Sequence, residues 1–263
     1  MNADEIRINI DDTYMNVIRF GHGKKNLVML SGISLLGLEG MGEAVAEAYR
    51  AIWDEYTVYL FDRRRMMPAS FTTEQMVGDV LYCLGELGVD RADFFGASHG
   101  GMMALLIALQ KPEIMNKLFL ASSCARAHGT CVSVMEHWIA LARQRDIRAL
   151  NTDFVRRVFT PALAENYLSS MGDALTAGTE EDCDRFIVLC RAVMDFDVLE
   201  RLHEITVPAA VVGAEGDAVL TKEASEELAR GLGCSLYLYP GYGHAVYDEA
   251  PDYKGRILKF FRS

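Results

Sequence analysis

The residues with the clearest chemical potential form one short run, Gly96-Ala97-Ser98-His99-Gly100-Gly101. A serine with a glycine two positions away on each side fits the G-x-S-x-G pattern of a nucleophile elbow, where a strand turns sharply into a helix. Such a serine takes a strained backbone conformation, and side chains two residues before and after it would collide. The turn leaves a hydroxyl exposed at a helix N-terminus, where the dipole and free amides favour developing negative charge. The chemistry that suits this arrangement is acyl transfer through a serine intermediate. A tight turn with an incidental serine is the plainer alternative. The flanking pattern argues against it, because a strand-like run ends at Phe95 and an apolar helical run begins near His99.

A serine hydroxyl needs a base, and the base needs an acid to orient it. The chain has six histidines, at 22, 99, 128, 137, 203 and 244. The side chain of His99 should point along its helix, away from the site. His244 lies in Pro240-Gly241-Tyr242-Gly243-His244-Ala245, a glycine-rich loop following the last strand, at the sheet edge where a base can reach the elbow. The acid is expected between serine and histidine in chain order. Val212-Gly213-Ala214-Glu215-Gly216-Asp217 supplies Asp217 there, to hold the His244 tautomer and stabilise its imidazolium. Glu215 competes for that role, and Asp195 and Asp197 compete more weakly.

The elements that must position these residues follow from periodicity. Ile6, Ile8 and Ile10 alternate with Arg7 and Asn9, a half-buried strand that forms a hairpin with Tyr14–Phe20 across the Asp11-Asp12 turn. Leu27–Leu30 and Tyr56–Phe61 are continuous apolar runs of strands buried on both faces. Helical patterns cover Met41–Trp53, Thr73–Leu87 (opened by a Thr72/Gln75 capping box) and His99–Lys111, with strands at Ala92–Phe95 and Lys117–Ala121. This alternation predicts an α/β fold, a mostly parallel central sheet with helices on both faces. It stops near Ser122. Residues 125–200 show helical periodicity alone, and strands return at Ala209–Val212 and Ser235–Tyr239, with helices at Lys222–Arg230 and Asp252–Phe261. The expected organisation is a core of 1–124 and 201–263 with a helical cap inserted at 125–200.

Composition narrows the function classes. The 263 residues are 51% hydrophobic, enough for a large core, and the net charge of −11 disfavours nucleic acid and anionic membranes as partners. The N-terminus lacks the pattern of a signal peptide, and the longest uncharged stretch, Phe94–Gln110, is too short to span a membrane, so a cytoplasmic location is expected. None of the six cysteines is paired in a C-x₂-C spacing, which makes them small buried hydrophobes. No phosphate-loop or H-E-x-x-H motif occurs, and no cofactor or metal is expected. The partner is expected to be a small-molecule substrate.

On these motifs the chain resembles the α/β-hydrolase superfamily, in particular its small cap-bearing serine-hydrolase branch, which includes esterases, C–C hydrolases and cofactor-free haloperoxidase-like proteins. Gly243-His244-Ala245 through Glu249-Ala250-Pro251 adds to the likeness. The resemblance implies a Ser98, Asp217, His244 triad and an oxyanion hole made by the backbone N–H groups of Ile33 and His99, with Ser34 as a substitute donor. Two departures stand out. Relatives usually carry His-Gly where this chain has Ser31-Gly32, and a glycine-rich loop where it has Asp62-Arg63-Arg64-Arg65-Met66-Met67-Pro68-Ala69-Ser70. The arginines could meet an anionic substrate or form salt bridges. Met102 and Trp138 are candidate substrate contacts, Ser34 a third; core filling is the alternative for the methionine, and His137 could also face the ligand.

The activity implied is hydrolysis of a small ester, thioester or amide. C–C bond hydrolysis of a dienone-type acid uses the same triad, and some relatives bind ligands without turnover. Dehalogenases and epoxide hydrolases place an aspartate at the elbow and fit less well.

Overall fold

The computed structural model describes residues 3–263. The chain opens with β1 (Asp4–Ile10) and β2 (Thr13–Gly21), a hairpin in which Asp4 pairs with Arg19 and Ile10 with Thr13. Alternation then gives β3 (Lys25–Leu30), α1 (Gly42–Ala48), β4 (Tyr56–Phe61), α2 (Thr73–Glu86), β5 (Ala92–Ala97), α3 (His99–Gln110) and β6 (Met115–Ala121). Four helices follow without a strand: α4 (Thr130–Arg143), α5 (Ile147–Val158), α6 (Pro161–Met171) and α7 (Glu180–Met194). The chain ends with β7 (Ala209–Ala214), α8 (Lys222–Leu232), β8 (Ser235–Tyr239), the single turn α9 (Val246–Glu249) and α10 (Tyr253–Arg262).

The strands form one sheet in the order β1-β2-β4-β3-β5-β6-β7-β8. It is antiparallel at β1–β2 and β2–β4 and parallel elsewhere, as the alternation predicted. Alternate side chains of each strand enter different cores. Val28, Leu30, Phe94 and Leu120 pack beneath α2, α3 and α8, whereas Met29, Phe95, Phe119 and Val212 pack with α1 and α10 on the other face. Ten residues of α3, from His99 to Ala108, are buried, so this helix is enclosed on all sides and its start is firmly held.

The Thr72/Gln75 capping box is present at the start of α2. The helix expected over Met41–Trp53 is shorter, because α1 ends at Ala48 and a 3₁₀ turn, Arg50–Ile52, follows. Trp53 accounts for the break, since its indole N–H donates to the Ala46 carbonyl at 2.9 Å and caps the helix from outside. The four-helix layer is entered and left through a narrow neck. Ala127 N–H donates to Phe196 O at 3.1 Å and Val198 N–H to Ala125 O at 2.8 Å, with Arg126 bridged to Asp197.

Candidate active site

The turn from β5 to α3 places Ser98 at φ 53° and ψ −123°, a conformation that costs on the order of 1–3 kcal/mol. Its glycines are required by close approach. A Cβ on Gly96 would stand 2.6 Å from the Cα of Gly101, and one on Gly100 would stand 1.9 Å from the Leu30 carbonyl oxygen. The strained turn is held by Ser98 N–H donating to Ala121 O (2.9 Å) and by Ser123 Oγ donating to Ser98 O (2.8 Å).

The loops after β7 and β8 bring Asp217 and His244 together. His244 Nδ1 lies 2.9 Å from Asp217 Oδ2, and the two residues are 3% and 6% exposed, so the pair works in a largely water-free setting. Oδ1 of the same carboxylate accepts the main-chain N–H groups of Val219 (2.8 Å) and Leu220 (2.9 Å). Burial alone would push the Asp217 carboxyl up, but His244 and these two amides outweigh it and hold the group below its ordinary range. Glu215, Asp195 and Asp197 are exposed, and none bonds to His244.

Ser98 and His244 line one cavity with Gly32, Ile33, Val219, Leu220 and Tyr247, beneath Met135 and Trp138 of α4, Phe154 and Val158 of α5 and Val193 of α7. The space for the centre of a water molecule is about 20 Å³, little more than one water needs. Among the described residues Ser98 Oγ makes no hydrogen bond to His244, nor to any other side chain. Gly32 lies against the serine, since a Cβ there would be 3.1 Å from Ser98 Cβ. The amides of Ile33 and His99 donate to no acceptor among the described residues.

Several expectations need correction. Met102 does not face the cavity; it is completely buried in the core, because α3 is enclosed on every side. The Ser34 hydroxyl donates to the Leu36 carbonyl at 2.5 Å and is absent from the cavity wall. Trp138 does line it, packed on Phe154 and Phe186 with its Nε1–H on Asp153 at 2.8 Å, whereas His137 faces outward toward the same aspartate. The arginines do not rim the cavity. Arg64 forks onto Asp79 (2.6 and 2.5 Å), Arg65 reaches Asp182 (2.5 Å), and Arg63 is buried beneath the β3 loop. A larger, polar cavity of about 240 Å³ lies among Tyr14, Asn16, Asp62, Arg63, Arg65 and Arg185, apart from Ser98 and His244. Its Arg65 and Arg185 are paired with Asp182 and Asp62, and it holds no nucleophile with a base.

The other cavity-lining residues, Phe154, Val158, Val193 and Leu220, carried no individual sequence signal; they are ordinary apolar positions on helices and loops. His99 is not part of the cavity wall; its ring points into the interior, 3.1 Å from Thr73 Oγ1, and burial first and Arg63 second push its pKa well below the usual histidine range. No helix among the described residues is long and apolar enough to cross a membrane.

Comparison with known proteins agrees with this architecture. The sequence matches the Alpha/beta hydrolase family over residues 27–253. It is 28% identical over 244 residues to a Rhizobium rhizogenes protein named "Putative carbamate hydrolase RutD", a match covering 86% of this chain and 90% of that protein. It is 24% identical over 225 residues to 3-oxoadipate enol-lactonase 2 of Acinetobacter baylyi, covering 81% and 80%. Among solved structures, MGS-M2, an alpha/beta hydrolase enzyme from a Medee basin deep-sea metagenome library, is similar with a TM-score of 0.88 over 98% of each chain, at 19% identity. With the family match spanning the sheet from β3 to the start of α10, and the strained serine turn in place after β5, the chain belongs to the α/β-hydrolase family.

Proposed function

We propose that the protein is a serine hydrolase that cleaves a small, uncharged acyl compound (an ester, thioester or amide) through an acyl-enzyme on Ser98. The observation that carries this reading is that His244, held by the buried Asp217, lines the same cavity as Ser98. With Nδ1–H donated to Asp217, the imidazole keeps its Nε2 lone pair for the serine proton. Ser98 Oγ attacks the carbonyl carbon, His244 takes the proton and then delivers it to the leaving group, and a water repeats the sequence to release the acid. In unliganded enzymes the serine–histidine bond is commonly long and tightens when substrate binds. The Ile33 and His99 amides are the proposed donors to the oxyanion.

The cavity favours the ester-type reading over C–C hydrolysis of a dienone-type acid. Among the described residues no Lys or Arg lines it, so a substrate carboxylate would be desolvated there without a partner. A small carbamate, the class in the name of the Rhizobium rhizogenes relative, falls within the proposed range.

A fluorophosphonate probe should label the wild type, and Ser98→Ala should abolish labelling and lower p-nitrophenyl acetate turnover by roughly 10³–10⁶-fold. An unlabelled wild type, or label retained on another serine, overturns the assignment.

A further inference from the structure

Two segments must keep a fixed relation for the proposed oxyanion hole to work: the loop after β3 and the start of α3. One side chain joins them. Arg63, 4% exposed, donates from Nη2 to the Ser31 carbonyl at 2.7 Å, and the same nitrogen lies 3.4 Å from His99 Nδ1. The partners assign the protons. Thr73 Oγ1 donates to Ala192 O at 3.1 Å, so it accepts from His99 Nε2–H at 3.1 Å, which leaves Nδ1 to accept from Arg63. The chain of bonds runs from the β3 loop to the last turn of α7.

Arg63 has no carboxylate of its own. Asp62 Oδ1 accepts the Arg63 main-chain N–H (2.7 Å) and Arg185 Nη2 (2.8 Å), while Arg64 and Arg65 take Asp79 and Asp182. Its Nε and Nη1 are buried without partners, and burial pushes its pKa down to about 10, against the pull of Asp62 and with a contribution from Arg185. A leucine or methionine would fill this space without unmet donors, so packing does not account for an arginine.

We infer that Arg63 is a positioning residue for the oxyanion hole: by gripping the Ser31 carbonyl, two residues before Ile33, and the ring of His99, it fixes the Ile33 and His99 amides relative to one another. This rests on the serine-hydrolase reading. It does not require Arg63 to touch substrate.

The test is Arg63→Met, which keeps length and removes the donors, with Arg63→Leu, which also lacks them, as the variant to measure if the first does not fold. Positioning predicts that kcat for p-nitrophenyl acetate falls about 10–100-fold with KM within about twofold, short of the loss for deleting a hole donor outright. Affinity for a trifluoromethyl ketone, whose serine adduct carries the oxyanion, should fall in the same proportion. The ¹⁵N order parameter at Ile33 should drop from the rigid range near ~0.85 toward ~0.6. An active wild type with unchanged kcat and ketone affinity in the variant overturns this inference alone. A wild type that neither labels nor turns over overturns the nucleophile assignment and this inference with it.

Discussion

Asp217 reaches His244 with one carboxylate oxygen and anchors its own loop with the other. The two tasks separate under substitution. In Asp217→Asn the side-chain oxygen can still accept from Val219 and Leu220, but an amide N–H then faces His244 Nδ1 and selects the opposite tautomer. Turnover is expected to fall by up to about 10⁴-fold with the loop still ordered. Glu215→Gln, on an exposed residue two positions away, should change turnover less than about threefold. Steady-state kinetics of both variants with one chromogenic ester decides it; the reverse ranking would move the acid to Glu215.

Widening the cavity should change acyl-chain preference without altering the serine's reactivity. Phe154 and Val193 wall the space above Ser98 from α5 and α7. Phe154→Ala or Val193→Ala should raise kcat/KM for butyrate relative to acetate, by up to about fourfold for each additional buried methylene, since each contributes roughly 0.8 kcal/mol. Fluorophosphonate labelling should stay near wild type. A p-nitrophenyl ester series, with folding checked by circular dichroism, measures the shift. Flat selectivity across both variants would place specificity outside the helical layer.

Acid should loosen the seam between the β4 loop and α7. Asp182 accepts from Arg65 and from Thr179, closing the capping box of α7. Burial raises its pKa, but Arg65 and Thr179 outweigh that and hold it below the ordinary value. Its contribution is therefore present above the unfolded-state pKa, near ~3.9, and is lost as pH falls through the lower folded value. Asp182→Asn should cost about 1–2 kcal/mol at pH 7, and the gap to wild type should narrow as pH falls below the ordinary carboxylate range. Urea melts at pH 7, 5 and 3 test this; a gap that is constant with pH would mean the charge contributes nothing.

The sheet and the serine turn were legible because both depend on local rules. Period-two alternation gave the hairpin, apolar runs gave the buried strands, and Thr72 with Gln75 marked the start of α2 to the residue. Chain order left Glu215 in competition with Asp217, which the resemblance implied, and the geometry brings only Asp217 to His244. Met102 shows where that reasoning ends: a helix buried all round has no periodic stripe to say which side chain faces a cavity. The cavity wall is assembled from α4, α5 and α7, whose mutual arrangement no single helical pattern encodes. Arg63 was equally hidden, because an arginine in a charged loop ordinarily faces solvent, and its burial depends on the Ser31 carbonyl and the His99 ring, both distant in sequence.

The neck at Ala125–Ala127 and Phe196–Val198 has a consequence for chain entropy. β6 and β7 are neighbours in the sheet, with Leu118 opposite Ala209, although the whole helical layer lies between them in sequence. Bringing those strands together means closing one long loop, and the closure term grows only logarithmically, by about 0.6 kcal/mol for each doubling of loop length. Pairing at the neck fixes the ends of that loop side by side, independently of what it contains. The layer can therefore gain or lose a helix at small entropic cost to the sheet. The residues above Ser98 are free to vary in number and shape while the strands that hold Ser98, Asp217 and His244 keep their register.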